Sequence, residues 1–337
     1  MQRGALSGLE YRQVDVFAEG PLSGNGLAVF FDCGRLDSAA MQALTREMRQ
    51  FESIFLQPGS GPDGYRARLF TMEEELDFAG HPVLGAACAL HERLGGPEER
   101  AWSLELNARS VSVVTRRCDG CYEADMDQGL ARMEPPLTPE QAAPYLAAMG
   151  IRAGDVPSGL PLQVVSTGLP YLILPVSGGL ERVRLRHENF EERLSEIGAK
   201  FAYVLDATAL EGRTWDNAGL AEDAATGSAA GPVGAYLAEH GRIESGVAFT
   251  LRQGRFVHRP SALRVLIQRE GEGWHARVSG RVVPVASGRF DERPGAAQGG
   301  RSAIPDNGAL AGGNPCGMLG SGAAVPGRGN RSRRGLY

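Results

Sequence analysis

Two widely separated segments of this sequence share one pattern, in which a turn of small residues runs directly into an Ala/Gly-rich helical segment. The first is FAGHPVLGAACALHERLG at 78–95, and the second is ATGSAAGPVGAYLAEHG at 225–241. Their identity is low, but repetition of one supersecondary pattern indicates an internal duplication. The chain is therefore predicted to fold into two similar lobes, each with one such helix.

Length and composition divide the chain further. Its 337 residues exceed the usual size of one simple core, which also favours two lobes. The proline-bordered segment 135–159 marks the boundary, so we assign residues 1–135 to the first lobe and 136–290 to the second. Residues 291–337 are crowded with Gly, Pro, Ala, Ser and Arg and lack apolar periodicity, so they are predicted to be a disordered tail.

The local pattern predicts strands that alternate with a few helices in both lobes. A helix over 38–48 has apolar residues at helical spacing, and Ser38 is suited to cap it. Pro82 favours the first turn of the next helix, over 82–94, which Gly95 and Gly96 end. A polar helix is predicted near 188–198 in the second lobe.

Charge and hydropathy exclude several classes of protein. The formal net charge is −5, and Lys and Arg are scattered through residues 1–290, so no basic stripe for nucleic acid is predicted. No apolar run approaches the roughly 18 residues that span a bilayer. The beginning of the sequence lacks an apolar signal core of about 7–15 residues, which predicts a cytoplasmic location.

The Cys118-Asp119-Gly120-Cys121 sequence needs its own interpretation, because a CxxC can be a redox or zinc site. Zinc usually requires four ligands, and no second CxxC or HxxxH follows. Asp-Gly between two strand-like runs is typical of a two-residue hairpin turn. We therefore favour a hairpin with a cysteine on either side, and the odd count of five cysteines does not indicate a disulfide framework.

The two turn-helix junctions are candidate anion sites. A helix N-terminus presents unpaired N–H groups and a partial positive charge. Gly80 allows close approach of a ligand, while Thr226, Gly227 and Ser228 can do the same and supply caps. Facing junctions would hold a small anion between the lobes; alternatively, both are ordinary helix starts. Neither contains a phosphate-loop or dinucleotide-binding motif.

Three side chains could carry acid–base chemistry. Glu52 lies among apolar neighbours, where burial would raise its pKa towards the useful range, unless strand alternation points it at solvent. His81 begins a helix, where the dipole favours its neutral form, but a lone histidine is also common in cores and on surfaces. Asp223 follows Glu222, and the pair could be ordinary loop charges.

Taken together, these segments resemble the phenazine-biosynthesis isomerase (PhzF-like) family. The matching pieces follow the family's order over about residues 10–290: VDVFAEGPLSGNGLAVFFD, FESIF, RLFTMEEELDFAGHPVLGAACAL, AEDAATGSAAGPVGAYL and RVSGRVVPVASG. The resemblance implies an α+β, diaminopimelate-epimerase-like fold, with two similar lobes that each wrap a curved, mostly antiparallel, barrel-like sheet around a central helix. The active site would lie in the cleft between them.

The resemblance also implies roles. Glu52 resembles the general acid/base, His81 and Asp223 the residues that hold polar groups of the substrate, and Gly80 and Ser228 junction residues that contact it. We extend the expected binding set to Thr226 and Gly227. The implied enzyme needs no cofactor or metal, acts on a small carboxylic acid and forms a homodimer.

The chain departs from the family pattern near both junctions. Phe51 and Ser53-Ile54 surround Glu52 where the family usually has a polar Ser-Glu-Thr-Thr sequence, and Ala224 replaces a proline after Asp223. Neither junction contains a cysteine, which disfavours two-thiol racemisation. The leading prediction is an isomerase that moves a proton and a double bond in a small carboxylic acid, within the biosynthesis of a specialised metabolite. The alternatives are a single-base epimerase or C–C lyase or hydrolase on the same scaffold, and a non-catalytic protein that binds a small acid.

Overall fold

A computed structural model describes residues 6–291, and the predicted tail over 291–337 lies outside the described residues except for Asp291. The described part contains sixteen strands and five α-helices, which we number in chain order. The first half contains β1 Glu10–Val16, β2 Asn25–Phe30, α1 Ser38–Met48, β3 Glu52–Pro58, β4 Gly64–Thr71, β5 Glu75–Leu76, α2 Gly80–Leu94, β6 Glu99–Glu105, β7 Ser110–Cys118 and β8 Cys121–Leu130. The second half contains β9 Arg132–Met133, α3 Pro139–Met149, β10 Gln163–Ser166, β11 Pro170–Val176, α4 Phe190–Glu196, β12 Phe201–Asp206, β13 Glu211–Arg213, α5 Gly227–Glu239, β14 Phe249–Gln253, β15 Ser261–Glu270 and β16 Gly273–Arg289.

Eight strands close into a barrel around α2. Strands β1, β2, β3, β4, β6, β7 and β8 pair in that order, and β16 closes the ring by pairing with both β8 and β1. Most of these pairs are antiparallel; β2–β3 and β4–β6 are parallel. Closure leaves these main strands with partners on both sides, which removes exposed sheet edges.

Small residues allow α2 to fit inside this barrel. Every residue from Gly80 to His91 is buried, as expected for a helix that is apolar on all sides. A Cβ atom at Gly85 would lie 2.5 Å from Leu27 Cδ2 and 2.9 Å from Val16 Cγ2. The Ala/Gly-rich sequence is therefore needed for close packing of the helix against the barrel wall.

The second half likewise packs a sheet against a central helix, α5. Its sheet runs from β16 through β15, β14, β13, β12, β11 and β10 to β9. Residues Gly227 to Ala238 of α5 are buried against it. The α+β class and the two lobes with central helices are confirmed. The boundary at residue 135 stays a prediction; β16, which we assigned to the second lobe, pairs along its latter part with β1 of the first barrel.

Local predictions have mixed outcomes. The first helix begins at Ser38, but Asp37 is its cap, accepting from the Ala40 amide at 2.8 Å, so the Ser38 assignment is wrong. Gly95 follows the last residue of α2 at φ 65°, as predicted. No helix within residues 6–291 combines the length and apolar character needed to cross a membrane.

The predicted hairpin around Asp119-Gly120 is present. Strands β7 and β8 meet there with Cys118 opposite Cys121, and a disulfide joins the two sulfur atoms. The cysteine count did not predict this bond. The cysteines therefore belong to a strand connection, as the turn sequence indicated.

Candidate active site

The N-termini of α2 and α5 meet at a cavity of about 380 Å³. A Cβ atom at Gly80 would lie 2.3 Å from the backbone nitrogen of Ser228 and 2.4 Å from the carbonyl carbon of Gly227. Only glycine permits this approach, because real Cβ atoms do not come so close to backbone. The two junctions predicted to face each other do so in direct contact.

Neither helix start is capped by a side chain. The N-cap residues are Ala79 for α2 and Thr226 for α5, and neither accepts a side-chain hydrogen bond from its helix. The predicted cap at Thr226 is therefore wrong, since its hydroxyl instead donates to Asp223 Oδ2 at 2.5 Å. Two partial positive charges thus converge near the cavity, which suits an anionic ligand.

Glu52 is the first residue of β3 and is buried, with 7% of its surface exposed. Its Oε2 lies 3.5 Å from His81 Nδ1 and has no hydrogen-bond partner among the described residues. Burial, and then the nearby charge of Asp223, raise the pKa of Glu52 well above its usual 4.5. A buried carboxyl with a raised pKa and a free oxygen is suited to exchange a proton with a ligand.

His81 lies beside Asn25 and keeps a neutral ring. Asn25 Nδ2 lies 3.2 Å from His81 Nδ1, and it also donates to Asp223 Oδ1 at 2.6 Å and to the Ala225 carbonyl at 2.9 Å. An amide NH₂ has two hydrogens, and these two acceptors take both, so Asn25 lies against His81 Nδ1 with no hydrogen left to donate to it. Burial lowers the pKa of His81 to about 3, which keeps the ring neutral. Its Nε2 has no partner in the described part of the chain, so this ring nitrogen is left for a ligand.

Asp223 is held on both oxygens. Asn25 donates to Oδ1 and Thr226 to Oδ2. Gln253 supports the loop by donating to the Asp223 carbonyl at 2.8 Å and to the Thr226 hydroxyl at 2.9 Å. Burial raises the pKa of Asp223, while the hydrogen bond from Thr226 opposes that rise.

All seven site residues predicted from sequence line this one cavity: Glu52, Gly80, His81, Asp223, Thr226, Gly227 and Ser228. Sequence reasoning missed Asn25, which joins His81 to Asp223. The sequence feature that could have identified Asn25 is its position as a polar residue in a Gly-rich turn, directly before a buried strand. Tyr171, which bonds Ser228, gave no signal, because it reads as part of the strand YLILPV.

The cavity wall is aromatic and its edge is charged. Phe51, Tyr171, Phe201 and Trp215 contribute rings. Lys200, the single lysine of the sequence, binds Glu74 of the first half and Glu191 of the second at 3.1 Å each. This ion pair joins the two halves beside the cavity.

No three His, Cys, Asp or Glu side chains within residues 6–291 are grouped so that they could hold a metal ion. The residues that line the cavity include no cysteine. The side chains that do line the cavity include the carboxyl groups of Glu52 and Asp223, which can transfer protons, and hydrogen-bond donors beside them.

Comparisons with known proteins identify relatives of this chain. A family described as phenazine biosynthesis-like protein, PhzC-PhzF, matches residues 14–288. The chain is 36% identical over 295 residues to trans-2,3-dihydro-3-hydroxyanthranilate isomerase of Pseudomonas aeruginosa, covering 83% of this chain and 98% of that protein.

Solved structures show the same fold. A predicted epimerase from Pseudomonas aeruginosa matches with a TM-score of 0.79 at 52% identity, covering 84% of this chain and 99% of that one. A PhzF-family phenazine biosynthesis protein from Bacillus anthracis matches with a TM-score of 0.73 at 23% identity, again over 84% and 99% of the two chains. At 23% identity, the match to the Bacillus anthracis protein shows only that the two chains share a fold.

Proposed function

We propose, from the premise that the chain belongs to the phenazine biosynthesis-like (PhzC-PhzF) family and is an isomerase of that type, that it moves a proton and a double bond in a small carboxylic acid. Glu52 is the acid/base in this proposal. The observation that carries it is that the buried residue Glu52 lines the cavity at the helix junctions, and that its Oε2 lacks a hydrogen-bond partner in the described chain.

The reaction follows from the protonation states. Glu52 in its carboxylate form removes a proton from a carbon that an adjacent acid or unsaturated group activates. The electron pair left on that carbon forms the new double bond while the original double bond opens and its electron pair moves to its far carbon. Glu52 returns the proton to that far carbon on the same face. Atoms and charge balance within the substrate. Because the pKa of Glu52 is raised, the same group is a competent acid in the second step.

Neutral donors stabilise the charge that develops in between. The first residues of α2 and α5 line the cavity, where the backbone N–H groups of a helix start are unpaired, and His81, which burial keeps uncharged, adds a donor when its hydrogen lies on Nε2. A neutral donor can stabilise negative charge without first giving its proton to Glu52. Asp223, held on both oxygens, has the fixed position needed to accept from a polar group of the substrate.

The relative's name supplies the first compound to test, trans-2,3-dihydro-3-hydroxyanthranilate. The aromatic wall is suited to a ring of this kind, and the helix N-termini to its carboxylate. We extend the proposal to a role in the biosynthesis of a specialised metabolite, to a cytoplasmic location and to a homodimer. Size-exclusion chromatography with light scattering tests the dimer.

A second candidate function is a single-base epimerase. It is favoured by one observation, the match at 52% identity to a structure described as a predicted epimerase. The same Glu52 would remove and return a proton at one carbon. Conversion of a chiral acid to its epimer, with no shift of a double bond, would support this candidate over the isomerase. A C–C lyase or hydrolase would be recognised by cleavage products, and a binding protein by the absence of turnover.

The direct test is Glu52→Gln. The amide keeps the shape of the side chain but cannot exchange a proton as the carboxyl does, so kcat is expected to fall by at least the roughly 10²–10⁴-fold that a general acid/base contributes. Substrate affinity should stay within about tenfold. Glu105→Gln, an exposed carboxylate on β6, is the matched control and should keep wild-type kcat. Normal turnover by Glu52→Gln would remove Glu52 from the role of base.

A further inference from the structure

Two buried hydroxyl groups form a pair at the first turn of α5. Tyr171 on β11 and Ser228, the second residue of α5, place their oxygens 2.7 Å apart. Their exposed fractions are 3% and 6%, and both residues line the cavity. Burial raises the pKa of Tyr171 above its usual 10, so its hydroxyl keeps its hydrogen.

The pair contains one more donor than the protein uses. Two hydroxyls bring two hydrogens, and one hydrogen makes the bond between them. Neither oxygen has another side-chain hydrogen-bond partner within residues 6–291. One buried O–H hydrogen is therefore left without an acceptor, whichever way the pair is oriented. Leaving a buried donor unsatisfied costs free energy, so the position favours a ligand that supplies an acceptor.

The orientation follows from the chemistry of the two groups. A phenol is a stronger acid than an alcohol and therefore the better donor, so Tyr171 donates to Ser228 Oγ. The Ser228 hydrogen is then the free one. Accepting from Tyr171 also polarises the Ser228 hydroxyl, which strengthens the bond that it can donate.

The surroundings select the charge of the ligand. Ser228 lies at the uncapped, partly positive end of α5, with Gly80 at the start of α2 packed directly on its backbone nitrogen. The nearby oxygens of Asp223 already accept from Asn25 and Thr226. A carboxylate supplies both the missing acceptor and the negative charge that the two helix ends favour.

We propose that Tyr171 is a substrate-positioning residue, which orients the Ser228 hydroxyl so that the hydroxyl and the start of α5 bind the carboxylate of the substrate. The inference rests on the proposed function in taking an acid as the substrate. It adds Tyr171, the residue that prepares the Ser228 hydroxyl to bind the carboxylate.

The test measures binding without turnover. The probe is anthranilate, the aromatic parent of the acid named for the relative, and 2-aminobenzamide is its uncharged counterpart; both are titrated calorimetrically. Wild type should bind anthranilate more tightly than the amide. Tyr171→Phe and Ser228→Ala should each weaken the binding of anthranilate about tenfold, as expected for loss of a hydrogen bond to a charged group. The effect of these two substitutions on the binding of 2-aminobenzamide should be much smaller.

The double variant separates positioning from simple packing. Because Tyr171 acts through Ser228, Tyr171→Phe/Ser228→Ala should bind anthranilate about as weakly as Ser228→Ala alone. Tyr145→Phe is the control, since it removes another buried hydroxyl of the second half, which donates to the Arg193 carbonyl. That variant should bind as wild type does.

Three results would overturn the inference: unchanged anthranilate affinity in Tyr171→Phe, an equal loss in Tyr145→Phe, or no preference of wild type for anthranilate over the amide. These results do not depend on catalysis. If wild type shows no isomerase activity but Tyr171→Phe loses affinity for anthranilate, the proposed function fails while the carboxylate site stands. If Glu52→Gln abolishes turnover but Tyr171→Phe binds anthranilate with wild-type affinity, the proposed function stands while the carboxylate site fails.

Discussion

At the scale of single residues, burial gives each group in the cavity its protonation state. Burial favours the neutral forms of both His81 and Glu52. Their ordinary pKa values would leave Glu52 charged and His81 near half-protonated in weakly acidic solution. Sequence predicted these residues through a resemblance, but it could not show which side chains would surround them. Asn25 and Tyr171 were missed because their partners lie far away along the chain.

The raised pKa of Glu52 predicts a stability cost that grows with pH. The pKa of Glu52 is near 4.5 in the unfolded chain and higher in the folded chain. At pH values between these two pKa values, the folded state therefore binds more protons than the unfolded state. Wild-type unfolding free energy should therefore fall, relative to Glu52→Gln, as pH rises from 4.5 through the folded pKa. Urea titrations at several pH values measure this difference. A constant difference between the two proteins across that range would contradict the assigned shift.

At the scale of elements, the helix junction is the part that sequence predicted best. Small residues at both turns indicated close backbone approach, and the structure shows contact between Gly80 and the start of α5. Caps were predicted less well, since Asp37 replaces Ser38 and Thr226 bonds Asp223 instead. A serine, threonine or aspartate can satisfy several partners, and the choice among them depends on tertiary contacts.

Gly80→Ala tests the junction. The new Cβ would meet the backbone of Gly227 and Ser228 at 2.3–2.4 Å, so the two helix ends must separate. We expect a loss of about 1–3 kcal/mol in unfolding free energy, as for other overpacked sites, together with a fall in kcat/KM. Gly154→Ala is the control, because no atom lies within 4 Å of its added Cβ. Wild-type stability and activity in Gly80→Ala would show that the close approach is unnecessary.

At the scale of the whole molecule, the cavity exists because two similar halves bring their central helices together. The pattern of turns and Ala/Gly-rich helices predicted the halves, but not that β16 would pair with strands of both. Pairings between the two ends of a chain leave no local signal, since each strand alternates in the same way with any partner. The Lys200 ion pair with Glu74 and Glu191, which joins the halves beside the cavity, was likewise unpredictable.

The central claim is that one buried carboxyl, Glu52, carries a proton from one carbon of an acid to another. The most direct measurement follows hydrogen isotopes through turnover of trans-2,3-dihydro-3-hydroxyanthranilate by mass spectrometry and NMR. Wild type in D₂O should give product with solvent deuterium at the newly protonated carbon, or substrate labelled with deuterium should pass its label there. Glu52→Gln should do neither. Product formed by wild type without either label, or labelled product formed at the wild-type rate by Glu52→Gln, would contradict the account.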